Sequence, residues 1–167
     1  MFKLKPIERD AVPAALAKAE RYRLLNEPRE AESICQDVLA ADPDNQQAII
    51  CLILTLTDLF DRTARRDDAV ALLARLKGDY EREYYAGVIE ERWVKHLLHA
   101  GYAMASVYDR LREAMDHFEK SDRIAPPNND DAVLRWNTCV RLLESENFDP
   151  NEEPDYPEVF DDDVPMR

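Results

Sequence analysis

Two histidines three residues apart, His96 and His99 in "KHLLHA", are candidates for metal chemistry, because imidazole nitrogens are common zinc ligands. The residues four positions before each of them are Arg92 and Lys95, which would lie on the same face of a helix and repel a cation. No Cys, Asp or Glu stands at a spacing that would complete a zinc site. We therefore expect no metal here, and both histidines suit the C-terminal end of a helix, whose dipole favours positive charge.

The chain contains three cysteines, Cys35, Cys51 and Cys139, which are far apart and odd in number. None belongs to a C-x-x-C pair, and each has apolar neighbours at helical spacing. This pattern favours reduced thiols that act as small core residues. Reduced cysteines, together with an N-terminus "MFKLKPIERD" that lacks the apolar stretch of a secretory signal, predict a cytoplasmic location.

Other catalytic signatures are missing from the sequence. Three isolated glycines cannot build a phosphate-binding loop, and no G-x-S-x-G or activated-cysteine motif occurs. The acidic run at 161–163 lacks the glycine and the final glutamate of a calcium loop. We therefore expect a protein that is not an enzyme and that uses no cofactor.

Negative charge is concentrated at the C-terminal end of the chain. The net charge is −13, and residues 146–167 hold nine carboxylates against one arginine, so −8 belongs to this segment and −5 to residues 1–145. Binding to a phosphate backbone depends on clustered Lys and Arg. We therefore expect no nucleic-acid partner.

Helical periodicity accounts for most of the remaining sequence. The composition, 46% apolar with only three glycines, favours one all-α domain of a size that needs no disulfide. The longest apolar run, "AIICLILTLTDLF", has 13 residues, whereas a membrane span needs about 20, so it predicts a buried central helix and no membrane insertion. We predict about seven helices, at 13–25, 28–41, 45–60, 67–76, 80–100, 102–124 and 129–144.

An internal repeat relates distant parts of the chain. "REAESICQDVLAADPDN" (29–45) aligns without a gap with "REAMDHFEKSDRIAPPN" (112–128), and a third, weaker copy is "DDAVALLARLKG" (67–78). These segments resemble the second helix of a tetratricopeptide repeat, in which a small residue marks the helix crossing and a proline ends the unit. The residues at the family positions are Tyr22, Ala31, Cys35 and Pro43 in the first unit, Ala69 and Leu73 in the second, and Ala114, Phe118 and Pro126 in the third.

The repeat units depart from the family period. Ala69 lies 38 residues after Ala31 and 45 before Ala114, whereas the family repeats every 34 residues or so. The resemblance implies a right-handed superhelix of helical pairs. The predicted organisation is an extension over 1–12, a helical domain over 13–145 with units at 13–43, 45–78 and 80–127 and a capping helix at 129–145, and an acidic, proline-rich tail over 146–167.

In this family the first helix of each unit lines a concave binding face, and the resemblance implies which residues face a ligand. A second interpretation stays open, because a helix that is apolar all round also fits a core position that later helices cover. The candidate protein-binding residues are Leu16, Glu20, Arg23, Ile49, Ile53, Leu56, Arg92 and Lys95.

Recognition of another protein is the function that this sequence favours. The prediction is a monomeric or weakly dimeric adaptor or scaffold that binds a peptide or protein segment. The alternative is a small acidic chaperone for one client, regulated by its own acidic tail. In both interpretations the tail has aromatic anchors, Phe148, Tyr156 and Phe160, that solubility alone would not require.

Overall fold

The computed structural model describes residues 2–149, and within that range the chain is all-α, as predicted. The eight α-helices, preceded by a 3-10 turn at Arg9–Ala11, are α1 (Val12–Leu24), α2 (Pro28–Ala41), α3 (Gln46–Asp58), α4 (Phe60–Thr63), α5 (Arg66–Leu73), α6 (Asp79–His99), α7 (Met104–Arg123) and α8 (Asp131–Ser145).

Two predicted breaks between helices are confirmed by the backbone. Asn26 ends α1 with a φ of 59°, and Gly101 separates α6 from α7 with a φ of 93°. Asparagine and glycine tolerate this left-handed conformation, which is why they end helices. Polar capping starts α3 at Gln46, since the Asn45 side chain accepts a hydrogen bond of 3.0 Å from the Ala48 amide.

Four predicted boundaries were wrong by two or three residues, and one of them is the start of the helix predicted over 102–124, which begins at Met104. The helix predicted over 45–60 ends at Asp58, and the connection predicted after it contains the single-turn helix α4, which stops at Ala64 with a φ of 49°. The helix predicted over 67–76 ends at Leu73. The last helix begins at Asp131 rather than 129, because Asn128 has a φ of 65° and the Asn129 side chain accepts a hydrogen bond from the Asp131 amide.

Each long helix packs on the next, and the helices that start successive pairs also contact one another. Thus α1 touches α3, α3 touches α6, and α6 touches α8. These four helices form one layer of the molecule, which we call the first layer. The superhelical twist that the resemblance implies stays a prediction.

The core has two main parts, and α6 contributes to both. The first core surrounds α3 and includes Ile53 and Leu56, with Ile89 and Trp93 of α6. The second core lies among α6, α7 and α8 and includes Val88 and Val94 of α6. Sequence analysis predicted α3 as the centre of the structure, but α3 is the centre of the first core only, and α6 lies between the two.

Gly87 sets the distance between α6 and α7. A Cβ atom at this position would lie 2.6 Å from Cε1 of Phe118, a distance that no real side-chain contact allows. The ring of Phe118 is itself fully buried, so it fills the space that the missing side chain leaves. Gly87 therefore marks a close contact between α6 and α7.

Candidate functional site

A chain of charged side chains crosses the first layer, and Asp58 at the end of α3 is one of its two acidic members. Arg23 of α1 donates from Nε to Asp58 Oδ2 at 2.8 Å, and Arg92 of α6 donates to the other carboxylate oxygen. Arg92 also donates to Thr57 Oγ1 at 2.7 Å. One carboxylate therefore joins three helices that are not all neighbours in sequence.

Glu91 of α6 is the second acidic member, and its side chain is fully buried. Lys95, one turn later in α6, donates to Oε1, and Arg135 of α8 donates to Oε2 at 3.1 Å. Burial alone would lower the pKa of Arg135, but the Glu91 carboxylate and the Tyr84 hydroxyl together outweigh it and raise that pKa above its usual range. A buried carboxylate is tolerated here because both of its oxygens receive charged donors.

These side chains together form what we call the polar seam, which runs from α1 through α3 and α6 to α8. Each carboxylate has two cations, so each group of three carries a surplus positive charge. All four cations keep part of their surface in solvent, with 19–36% of the side chain exposed. The seam comprises Arg23, Asp58, Arg92, Lys95, Glu91 and Arg135.

A cleft of about 180 Å³ opens beside the seam, between the C-terminal end of α3, α4 and the last turns of α6. Phe60 lines it and packs edge to face on Trp93, with ring centroids 5.2 Å apart. His96 Nδ1 lies 2.7 Å from Asp61 Oδ1. The cleft is smaller than the 300–1,000 Å³ of typical small-molecule sites, and this size suits a single side chain of a partner. Its lining residues are Thr57, Asp58, Phe60, Asp61, Arg92, Lys95, His96 and His99.

Glu90, next to Glu91 in α6, is nearly buried as well and faces other helices. It pairs with Arg66 of α5 and, through Oε2 at 3.5 Å, with Arg110 of α7. Consecutive residues of a helix point about 100° apart. The two glutamates therefore fasten α6 in two directions, and only Glu91 belongs to the polar seam.

Three of the eight predicted binding residues, Arg23, Arg92 and Lys95, lie together on the polar seam. Glu20 is exposed on α1, and Leu16 is half-buried against the small N-terminal core. Ile49, Ile53 and Leu56 lie in the first core, where none is more than 4% exposed. An open apolar groove at these three residues is therefore wrong, and the alternative, a covered α3, holds because α1, α2, α5 and α6 all pack on that helix.

Three members of the polar seam, Asp58, Glu91 and Arg135, were not predicted from the sequence. Glu91 had a detectable signal, because it stands midway between the buried Val88 and Val94 at helical spacing, which places a carboxylate on an apolar face. Asp58 and Arg135 gave no such signal. Their role depends on which helices lie side by side, and local spacing does not contain that information.

The repeat-defining residues have the burial that close helix crossing requires. Ala31, Ala69 and Ala114 are fully buried, and Phe118 is 1% exposed. Tyr22 packs against the first core. Pro43 and Pro126 follow the ends of α2 and α7. Small residues at these points let helix axes approach, whatever the ancestry of the chain.

The tail predicted from residue 146 does not begin as a separate segment. The Phe148 ring lies 5.1 Å from the Tyr108 ring of α7, and the Phe148 amide donates to the Leu143 carbonyl at 3.1 Å. Residues 146–149 are therefore part of the helical body. The remaining predicted tail, including Tyr156, Phe160 and the acidic run at 161–163, lies outside the described residues.

None of the protein families, curated proteins or solved structures compared with this chain matches it. Among residues 2–149, no three His, Cys, Asp or Glu side chains are grouped so that they could hold a metal ion. Over the same range, no helix has the length and apolar character needed to cross a membrane.

Proposed function

We propose that this chain is a non-enzymatic adaptor that binds a segment of a partner protein at the polar seam and its cleft. The observation that supports this most is that four partly exposed cations of α1, α6 and α8 outnumber the two carboxylates that they contact in the polar seam. Such a surface favours a segment with carboxylates, since charge-assisted hydrogen bonds are stronger than neutral ones. The resemblance to tetratricopeptide repeats assigns recognition to the same layer of helices.

The proposed mode of binding is polar contact along the seam with one side chain inserted into the cleft. Lys95 and His99 present donors at the cleft, and the largely buried ring of Phe60 forms part of its apolar lining. Interface residues that anchor binding are commonly surrounded by a polar rim. The partner segment we propose therefore combines acidic residues with an aromatic or large apolar anchor.

Site-specific photocrosslinking tests this function. The crosslinking residue p-benzoylphenylalanine replaces His99 in the cleft or, as a matched control, the exposed Ser33 on α2. We expect a discrete partner adduct with the His99 variant and none with the Ser33 variant. Adding Lys95→Gln should lower the yield about five-fold, because it removes one of the exposed charges, worth roughly 1 kcal/mol. Equal adducts at both positions, or none at either, would refute the proposal.

A specific observation also supports the second candidate, a chaperone for one client. An apolar pocket of about 220 Å³ lies between α7 and α8 and includes Phe118, Val133 and Trp136. Beside it, Leu134 is 62% exposed and Ile124 is 49% exposed. Exposed apolar patches of this kind mark sites that hold apolar segments of other proteins. Crosslinking from position 134 rather than 99 would favour the chaperone function over the adaptor function.

A further inference from the structure

The described chain ends on the core to which the last turns of α6 belong. Phe148 packs on Tyr108 of α7, with ring centroids 5.1 Å apart, and shares the second core with Leu97 and Leu98 in the last turns of α6. The cleft residues Lys95, His96 and His99 occupy those same turns of α6. The chain therefore leaves the helical body from the core that one side of α6 helps to form, while residues of the same helix turns line the cleft.

The segment that follows is long enough to reach the whole seam. Residues 150–167 number eighteen, and an extended chain of that length spans up to about 60 Å. Arg135 of α8 and Arg23 of α1 bound the seam. Tethering also raises the local concentration of such a segment to the millimolar range, so that a weak interaction is enough for occupancy.

The charges of this segment complement those of the seam. Residues 150–167 contain seven carboxylates and one arginine. Two aromatic residues, Tyr156 and Phe160, stand among these acids, and the cleft has room for one such side chain beside Phe60. Opposite charges with an apolar anchor are the combination that we proposed for a partner segment.

We propose that residues 150–167 of this chain occupy the polar seam and cleft of the same molecule, so that a partner binds by displacing them. The proposal rests on the proposed function for the identity of the site, and it adds that the site is regulated from within. Acidic residues contact the surplus cations at Lys95, Arg92 and Arg23, while one aromatic side chain enters the cleft. Occupancy falls at high ionic strength, because exposed ion pairs are screened.

Paramagnetic relaxation in the full-length protein tests this arrangement. A nitroxide label is attached to Met166→Cys, and the three native thiols are not labelled, because all of them are buried. We expect the amide signals of Asp61, Lys95 and His99 to lose most of their intensity, while those of Ser33 and Asp37 on α2 are retained. At 1 M salt, where charges are screened beyond about 3 Å, the lost signals should return.

A matched control removes only the charges of the segment. The same labelled protein carries amides in place of its seven carboxylates, Glu152, Glu153, Asp155, Glu158, Asp161, Asp162 and Asp163. The cleft signals should then keep their intensity, and the helical body should unfold at a slightly lower denaturant concentration, because a segment that binds only the folded state stabilises it. Cleft signals that are equally weak in both proteins, or unaffected in both, would overturn the proposal.

An experiment with mixed samples tests whether the occupant of the cleft is the segment of a second copy of the chain. When labelled protein without ¹⁵N is mixed with ¹⁵N protein without the label, we expect no loss of cleft signals. If the cleft signals lose as much intensity in the mixed sample as they do when the ¹⁵N protein itself carries the nitroxide, intramolecular docking is overturned. The experiment needs no partner, so its failure is separate from that of the proposed function. If the cleft signals are lost but crosslinking from position 99 never captures a partner, the segment docks and the adaptor function is wrong.

Discussion

At the scale of single residues, Glu91 is the side chain on which the seam most depends. Its carboxylate is fully buried and is compensated by Lys95 and Arg135. Removing one partner leaves part of a buried charge uncompensated, which costs far more than the pair as a whole contributes.

Arg135→Met should therefore destabilise the protein by about 2 kcal/mol, less than the 3–5 kcal/mol for breaking a fully buried pair, because Lys95 remains. The double variant Glu91→Met with Arg135→Met should recover most of that loss, since no unpaired carboxylate is left. Arg141→Met, an exposed change on the same helix, serves as the control. Urea unfolding measures the stability of all three variants. A double variant less stable than Arg135→Met alone would show that the unpaired Glu91 carboxylate does not cause the destabilisation.

Gly87 gives a second test at this scale. Gly87→Ala improves helix propensity by about 1 kcal/mol but forces a Cβ against the Phe118 ring, and overpacking of this kind costs about 1–3 kcal/mol. We expect the free energy of unfolding, measured with urea, to fall by about 1 kcal/mol. In a Phe118→Leu background the same change should be neutral or stabilising. A stabilising effect with Phe118 present would mean that the ring moves aside without cost.

Buried ionisable groups predict a loss of stability in alkali. Burial raises the pKa of Cys139 to about 12 from 9.0, and that of Tyr85 to about 12 from 10.0. Both stay protonated in the folded state at a pH where the unfolded chain ionises, so their stabilisation is complete below about pH 9 and is lost as the pH rises toward 12. Each group contributes a slope of up to about 1.4 kcal/mol per pH unit.

The change Cys139→Ala isolates one of these slopes. Free energies of unfolding measured from pH 8 to pH 11 should decline less steeply in this variant than in the parent protein. The comparison uses slopes, so the small cavity left by the change does not affect it. Identical slopes would show that Cys139 titrates alike in the folded and unfolded chains.

At the scale of elements, helix positions were largely predictable and irregular turns were not. The helix at 28–41 has the predicted limits because Pro28 fits a first turn, while Pro43 prevents the helix from continuing. The break after Asp58 was predicted two residues late and α4 was missed, because "LFDRTARR" contains neither glycine nor proline. There the chain turns at Ala64, a residue type with no preference for a left-handed backbone.

That turn leads to a prediction about α4. Ala64→Gly should stabilise the protein by about 0.5–1 kcal/mol, because glycine adopts a positive φ without steric strain and the gain exceeds the entropy that glycine adds to the unfolded chain. Ala74→Gly is the matched control. Because Ala74 has a helical φ of −63°, this change should lower the free energy of unfolding by up to about 1 kcal/mol. Thermal unfolding compares the two, and destabilisation by both changes would contradict a strained turn at Ala64.

At the scale of the whole molecule, the sequence predicted the all-α class and the residues at the helix crossings. It did not decide whether α3 is open or covered, because α3 is apolar on nearly every side and periodicity alone cannot tell a covered helix from an open one. The seam resulted from the meeting of α1, α3, α6 and α8, which are far apart in sequence. Of the candidate site, only the cationic residues Arg23, Arg92 and Lys95 were identified in advance.

The sharing of α6 between two cores predicts one cooperative unfolding transition. Trp93 packs against the first core and Trp136 against the second, and the chain has no other tryptophan. Trp136→Phe therefore leaves Trp93 as a fluorescent probe of the first core, and Trp93→Phe leaves Trp136 as a probe of the second core. In each variant, the fluorescence midpoint in urea should coincide with the midpoint from circular dichroism, as two-state unfolding requires. Separate midpoints within one variant would mean that the cores unfold independently, as long repeat arrays can.

The neighbouring glutamates of α6 also restrict how the length of this chain can change during evolution. An added or deleted residue within a helix rotates everything after it by about 100°. Such a change before Glu90 would turn both carboxylates away from their partners on α5, α7 and α8. Connections such as 124–130 tolerate extra residues far better, because no packed face follows in the same helix. In related sequences, insertions and deletions should therefore fall between the helices, while the number of residues from the start of α6 to Glu91 stays constant.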